Sequence, residues 1–289
     1  MPTRFLTIAV FLALALLLPA CATVPAPSTA REEAQTLARS AGFAPLPLQG
    51  GGLTLAAWAK NGTGADLVVY IEGDGHAWDD RRTPSQDPTP RDPLVLRLAA
   101  LDPAPTLLYL ARPCQYQPEL PQGCDARLWT SARYGLPTVL ALSQALDQAK
   151  AALGATRLHL VGYSGGGALA VLLAARRSDV ADILTVAANL DTAAWTAHHN
   201  ISPLTESLNP ADSARSVAAI PQTHVAGAGD AVVPPFLCRR FLERMGQAPR
   251  ARCLDLDGLD HRHGLEARWP DILARHRAGL PAATGGGLP

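Results

Sequence analysis

Short aliphatic runs recur along this chain, several ending in glycine or aspartate, and longer stretches with apolar residues at helical spacing lie between them. "DLVVYIEGDG" from Asp66, "PTLLYLARP" around Leu107–Leu110, "RLHLVG" from Arg157, "ILTVAA" from Ile183, "THVAGAGD" from Thr223 and "RCLDLDG" from Arg252 each read as strands, as do residues 53–58. The runs lack a polar alternation, which is the pattern of strands covered on both faces. Helical periodicity appears in "GLPTVLALSQALDQAKAALGA", with Val139, Leu142, Leu146 and Leu153 on one side and a stop at Gly154. "GGALAVLLAARR", ending in the dipole-matched Arg176 and Arg177, and "GLEARWPDILARHRAG" read as two further helices. Strands alternating with helices predict an α/β domain built on a mostly parallel central sheet with helices on both faces. Such sheets place ligands beyond the C-terminal ends of their strands. Four of the runs end there in polar loops, "EGDGHAW", "GYSGGG", "GAGD" and "DGLDHRHG".

Gly162-Tyr163-Ser164-Gly165-Gly166 fits G-x-S-x-G, lying between a predicted strand and a predicted helix. A serine held on so sharp a turn needs small neighbours where the strand and the helix cross, and glycine meets that need. The same letters also suit a glycine-rich turn with no chemistry; the flanking elements favour a nucleophile. The N–H of Gly165 is then the natural donor to an oxyanion. A serine nucleophile needs a base, and a base needs an orienting acid, in the chain order serine, acid, histidine. Asp230 at the end of "HVAGAGD" is the expected acid, with Asp191 in "ANLDTAAW" as rival. His261 in "DGLDHRHG" is the expected base, with His263 as rival. His198 and His199 precede the acid and read as pocket or surface residues. The N–H of Asp74, in the loop after the first long strand, is the expected second oxyanion donor, with that of Gly75 next. Its carboxylate is expected to turn away into a loop hydrogen bond. Residues 193–212 read as a pocket wall or small lid carrying Trp195, and the proline-rich stretch around residues 84–93 and the "PCQYQPELPQGC" loop as rim.

These residues resemble the α/β-hydrolase fold, and more narrowly a group of bacterial lipoprotein-type α/β hydrolases of undefined substrate. The narrower resemblance rests on "YIEGDGHAW", "ARPCQY", "WTSARYG", "GYSGGGALA", "ANLDTAAWTAHH", "SLNPAD" and the segment ending in Trp269, and spans most of the chain from about Leu53 to Arg275. It implies Ser164 as nucleophile, His261 as base and Asp230 as acid of a carboxylesterase-like serine hydrolase without cofactor or metal, acting on a small-molecule acyl substrate. A peptidase or thioesterase using the same three residues, and a non-catalytic binding lipoprotein, are the alternatives. The chain departs from the group's commoner pattern at Glu72, which stands where a histidine is frequent.

Composition changes this picture in two places. With 48% hydrophobic residues and no formal net charge in 289 residues, the chain has material for one large core and lacks the basic surface that binding nucleic acid requires. The N-terminus carries Arg4 and then an apolar run through Leu18, the pattern of a signal peptide over residues 1–20. Leu18-Pro19-Ala20-Cys21 resembles a lipobox, making Cys21 the lipidation site, with residues 21–45 as a lipid-anchored tether, residues 46–280 as the hydrolase domain and residues 281–289 as a disordered tail. Ordinary signal cleavage near Ala20 is the plainer alternative. The expected address is the bacterial envelope, at the periplasmic side of the outer membrane or free in the periplasm. Setting Cys21 aside leaves Cys114, Cys124, Cys238 and Cys253, an even number that suits disulfides in an exported protein. Of three possible pairings, Cys114–Cys124 with Cys238–Cys253 closes the shortest loops.

Overall fold

The computed structural model describes residues 27–280 apart from Ala248; the predicted signal peptide, Cys21 and the predicted tail lie outside the described residues. α1 (Pro27–Ser40) leads into β1 (Ala44–Pro45), the hairpin of β2 (Leu48–Gly50) and β3 (Leu53–Leu55), then β4 (Ala57–Lys60) and β5 (Asp66–Ile71). α2 (Leu94–Ala100) precedes β6 (Leu107–Leu110), and α3 (Leu136–Leu153) precedes β7 (Arg157–Tyr163). α4 (Gly165–Ala174), β8 (Val180–Val186), α5 (Thr192–His198), β9 (Gln222–Gly227), α6 (Phe236–Met245), β10 (Ala251–Leu256) and α7 (Leu265–Ala278) follow.

Eight strands form one sheet in the order β1-β4-β6-β5-β7-β8-β9-β10. From β6 to β10 every pairing is parallel, while β1 and β4 run antiparallel at one edge. The aliphatic runs explain the two-sided burial. In β5, Leu67, Val69 and Ile71 face the layer of α3, α4 and α6, and Val68 and Tyr70 face the layer of α1, α2 and α7. A strand buried on both faces has no room for polar alternation. α4 is buried at every position from Gly165 to Ala174, and so is apolar all round. α3 ends where the sequence predicts, with Gly154 in the left-handed region at φ 68°.

The structure revises several expectations. The strand predicted over residues 53–58 breaks at Ala56 into β3, in the separate hairpin, and β4, in the main sheet. The predicted tether does not run to residue 45. α1 packs on the domain through Ala30, Ala34 and Ala38, all fully buried, an i, i+4 stripe of small side chains. α4 stops at Ala174, short of Arg176 and Arg177, and Arg177 pairs with Asp147 and Asp179. α2, α5 and α6 are elements the periodicity did not single out.

The four cysteines adopt the local pairing, Cys114–Cys124 and Cys238–Cys253, with Cα atoms 5.8 and 6.1 Å apart. The first bridge ties the 114–124 loop to a small core of Leu53, Ala77 and Trp129, and the second ties α6 to β10. Disulfides of this kind suit a non-cytoplasmic protein. Among the described residues no helix is long and apolar enough to cross a membrane. Closing a loop with a sequence separation of 15 stabilises by about 3 kcal/mol in the chain-entropy account. A Cys238→Ala/Cys253→Ala variant should therefore melt roughly 6–10 °C lower than the parent in calorimetry. An unchanged melting temperature would argue that the bridge constrains nothing.

Candidate active site

The loops after β5, β7, β9 and β10 meet at the C-terminal edge of the sheet, around an open cavity of about 840 Å³. Ser164 sits between β7 and α4 with φ 51° and ψ −118°, a conformation that side chains rarely adopt. Its N–H donates to the Val186 carbonyl (2.9 Å), which fixes the turn to the neighbouring strand. The glycines around it are required by crowding. A Cβ on Gly162 would overlap the Gly166 carbonyl, and a Cβ on Gly166 would overlap the carbonyls of Ile71 and Glu72 at the end of β5. The strand, the turn and the helix thus cross at backbone contact distance, and the serine is left at the tip.

Asp230 and His261 come together across 31 residues of chain, with His261 Nδ1 2.9 Å from Asp230 Oδ2. The other oxygen of the buried Asp230 carboxylate accepts from the N–H groups of Val232 and Val233, both at 2.8 Å. Every lobe of the acid that faces protein is thereby engaged, and its direction is set. Ser164 and His261 line the same cavity, together with Tyr163. The Tyr163 hydroxyl donates to the His261 carbonyl (2.8 Å), and the two rings lie 5.3 Å apart. The variable residue of G-x-S-x-G therefore holds the histidine loop, a role the motif gave no sign of.

The rivals are placed elsewhere. Asp191 caps α5 by accepting from the Ala194 N–H (3.1 Å) and is held by Asn209 and Arg240. His263 turns to Asp260, with Nδ1 2.9 Å from its carboxylate, and is 85% exposed. His199 and Trp195 both reach the Val232 carbonyl, at 2.9 and 2.7 Å, so α5 steadies the loop that carries Asp230. Trp195 also lines the cavity. Among the described residues, no group of three or more histidine, cysteine, aspartate or glutamate side chains could hold a metal ion.

The Asp74 carboxylate does not turn into a simple loop hydrogen bond. It packs over Gly165, clamped by Arg112 and by Arg133 (2.8 Å), and accepts from the Tyr134 hydroxyl at 3.0 Å. Burial pushes this carboxyl up, but the guanidiniums of Arg133 and Arg112 more than offset that and hold it at about 2. Both arginines are buried while the Asp74 side chain keeps 22% of its surface exposed, so the three groups form a largely shielded ionic cluster. Gln115 completes the contact by donating to the Gly73 carbonyl (3.1 Å). Arg112, Gln115, Arg133 and Tyr134 come from "ARPCQY" and "WTSARYG", segments with no chemical signature of their own.

Glu72, just before this loop, is buried and accepts from the Tyr109 hydroxyl and the Gly73 N–H. Burial outweighs both hydrogen bonds and pushes the carboxyl up to about 7.

No protein-family model and no curated protein sequence matches the chain. Solved structures do. The esterase Pf2001 of Pyrococcus furiosus superposes with a TM-score of 0.57 at 12% identity, over 83% of this chain and 93% of that one. A membrane phospholipase A, titled a bacterial virulence factor, superposes with a TM-score of 0.56 at 16% identity, over 87% of this chain and 92% of that one. A puromycin hydrolase gives 0.60 at 18% identity, over 86% of this chain and 40% of the longer one. The fold is that of the α/β hydrolases.

Two measurements follow from the buried carboxyls. Asp74→Asn leaves Arg112 and Arg133 without a counter-charge and should lower unfolding stability at pH 7 by about 3 kcal/mol in urea titrations. Because the folded carboxyl titrates lower than the unfolded one, its contribution is present above pH ~4 and lost as pH falls towards 2. The variant should lose that acid dependence. Glu72 behaves oppositely. Its folded carboxyl keeps a proton that the unfolded chain releases near pH 4.3, so stability falls as pH rises towards 7 and then levels off. Glu72→Gln should gain on the parent by on the order of 2 kcal/mol more at pH 8 than at pH 5.

Proposed function

We propose that the protein is a serine hydrolase that cleaves carboxylic esters through an acyl-enzyme on Ser164. The observation that carries this reading is the strained serine at the tip of the β7–α4 turn, sharing a cavity with an imidazole whose Nδ1 is bound to a buried carboxylate. With Nδ1 tied to Asp230, Nε2 is the nitrogen free to act on Ser164. In this mechanism the Ser164 hydroxyl attacks the acyl carbonyl as His261 takes its proton. Asp230 stabilises the imidazolium and fixes the tautomer. The N–H groups of Gly165 and Asp74 receive the oxyanion, helped by the amino end of α4. The imidazolium returns its proton to the departing alcohol, and water, activated by the same histidine, releases the acid. The Asp74 clamp supports this assignment by fixing residue 74 against Gly165, which keeps the two proposed donors side by side.

The same reading places the enzyme in the bacterial envelope. The two bridges support export, and the N-terminal sequence supports cleavage before Cys21 and a lipid anchor there. Mass spectrometry of Cys21 in material from a membrane fraction tests the anchor.

A fluorophosphonate probe should label Ser164 in the parent and nothing in Ser164→Ala. On p-nitrophenyl esters, Ser164→Ala and His261→Ala should each lose about 10⁴-fold or more in kcat, because the three residues act as one unit. Esters should turn over faster than matched amides and thioesters; faster amide or thioester cleavage would redirect the substrate class. Full esterase activity in Ser164→Ala would remove the proposal.

A further inference from the structure

The charged groups around the cavity differ in whether a side chain or amide of the protein engages them. Its wall carries four carboxyls besides the buried Asp230, and each is already engaged. Asp74 lies between Arg112 and Arg133, Asp92 pairs with Arg97, and Asp260 binds His263 together with the N–H groups of residues 262 and 263. Glu72 is hydrogen-bonded to Tyr109 and Gly73. Two guanidiniums on the same wall have no such partner. Among the described residues neither Arg91 nor Arg262, both lining the cavity, makes an ion pair or a side-chain hydrogen bond. A guanidinium on a cavity wall without an acidic partner suits an anion, which matches its fork of donors. Arg262 directly follows His261, the residue that returns a proton to the departing alcohol in the mechanism above. Trp78, Leu94, Trp195 and Val232 supply an apolar part of the same wall.

We infer that the cavity takes acyl esters of an anionic alcohol, with Arg91 and Arg262 binding the anionic group and the apolar wall taking the acyl chain. This deepens the esterase reading and rests on it for the catalytic step, but the binding half stands apart from catalysis. The bond cleaved is the acyl ester; the anionic group is recognised and leaves unchanged on the alcohol.

Two arms test it. In the first, the parent hydrolyses 1-octanoyl-glycerol 3-phosphate and neutral 1-octanoylglycerol, both below their micellar concentrations. The phosphate ester should be favoured about tenfold or more in kcat/KM, through KM, with the preference shrinking as salt rises. Arg91→Gln should bring the ratio of the two towards one, and Arg91→Lys, which keeps the charge but not the fork, should leave an intermediate ratio. Arg239→Gln, which removes an exposed cation of α6 paired with Asp255, should leave the ratio as it is. In the second arm, calorimetry on Ser164→Ala compares octyl phosphate, octanoate and octyl glucoside. Tighter binding of either anion than of the glucoside supports the site, and the order of the two anions says whether phosphate or carboxylate is its natural group. Cleavage of both esters at equal kcat/KM, or equal binding of all three ligands, overturns the inference and leaves the hydrolase reading standing. Selective binding of the anions with no turnover of either ester does the reverse.

Discussion

The turn at Ser164 exists only because three backbone segments meet without side chains between them. β7 ends, α4 begins and the last carbonyls of β5 lie against the first turn of that helix, so Gly162 and Gly166 admit no Cβ. The constraint reaches beyond the serine. It brings the 72–75 loop against Gly165, and so sets where every residue of that loop falls. It also fixes Tyr163, whose hydroxyl then holds the carbonyl of His261. One crossing thereby positions three of the four loops at the cavity, and the fourth is pinned by the Val232 and Val233 amides on Asp230.

What surrounds that crossing divides by charge state. Asp230 is a carboxylate removed from water and Asp74 one largely shielded from it, and their partners differ. Asp230 is saturated by neutral donors and an imidazole, so it orients a ring without cancelling a charge. Asp74 is paired with two guanidiniums, so its charge is more than cancelled where it lies against Gly165. Glu72 meets the same low-dielectric surroundings with hydroxyl and amide donors only, and its carboxyl is pushed up instead. Three acids within one strand end and its neighbours thus adopt three different solutions to burial.

That Ser164 and His261 share one cavity was more legible in the sequence than the residues that support it. Ser164, Asp230 and His261 each follow a recognisable strand end, and the C-terminal ends of parallel strands gather at one edge of the sheet. The parallel sheet was legible for a related reason, because strands covered on both faces cannot hide their hydrophobicity. α1 was not legible, since its buried stripe is alanine and a pattern search for large apolar residues passes over it. Arg112, Gln115, Arg133 and Tyr134 were not legible as a unit either. They converge on one loop only after β6 and the segment before α3 have folded, and nothing local distinguishes them from surface arginines. For Asp74, the expectation of a loop hydrogen bond for its carboxylate missed the two arginines, because these partners lie some forty and sixty residues away in the chain.

The clamp on Asp74 also bears on why so polar a cluster is buried beside an apolar core. Ionic groups taken out of water recover little net stability even when well paired, and a packed apolar trio of similar volume would hold the loop about as firmly. An apolar trio would not fix direction. Arg112 and Arg133 approach the carboxylate from different segments, and Tyr134 adds a third donor, so the group has one orientation in which all are satisfied. That orientation lays the carboxylate of residue 74 against Gly165, the first residue of α4. Replacing the cluster by hydrophobic residues would keep the fold and leave the loop free to slide, which separates what stabilises this domain from what aligns its site.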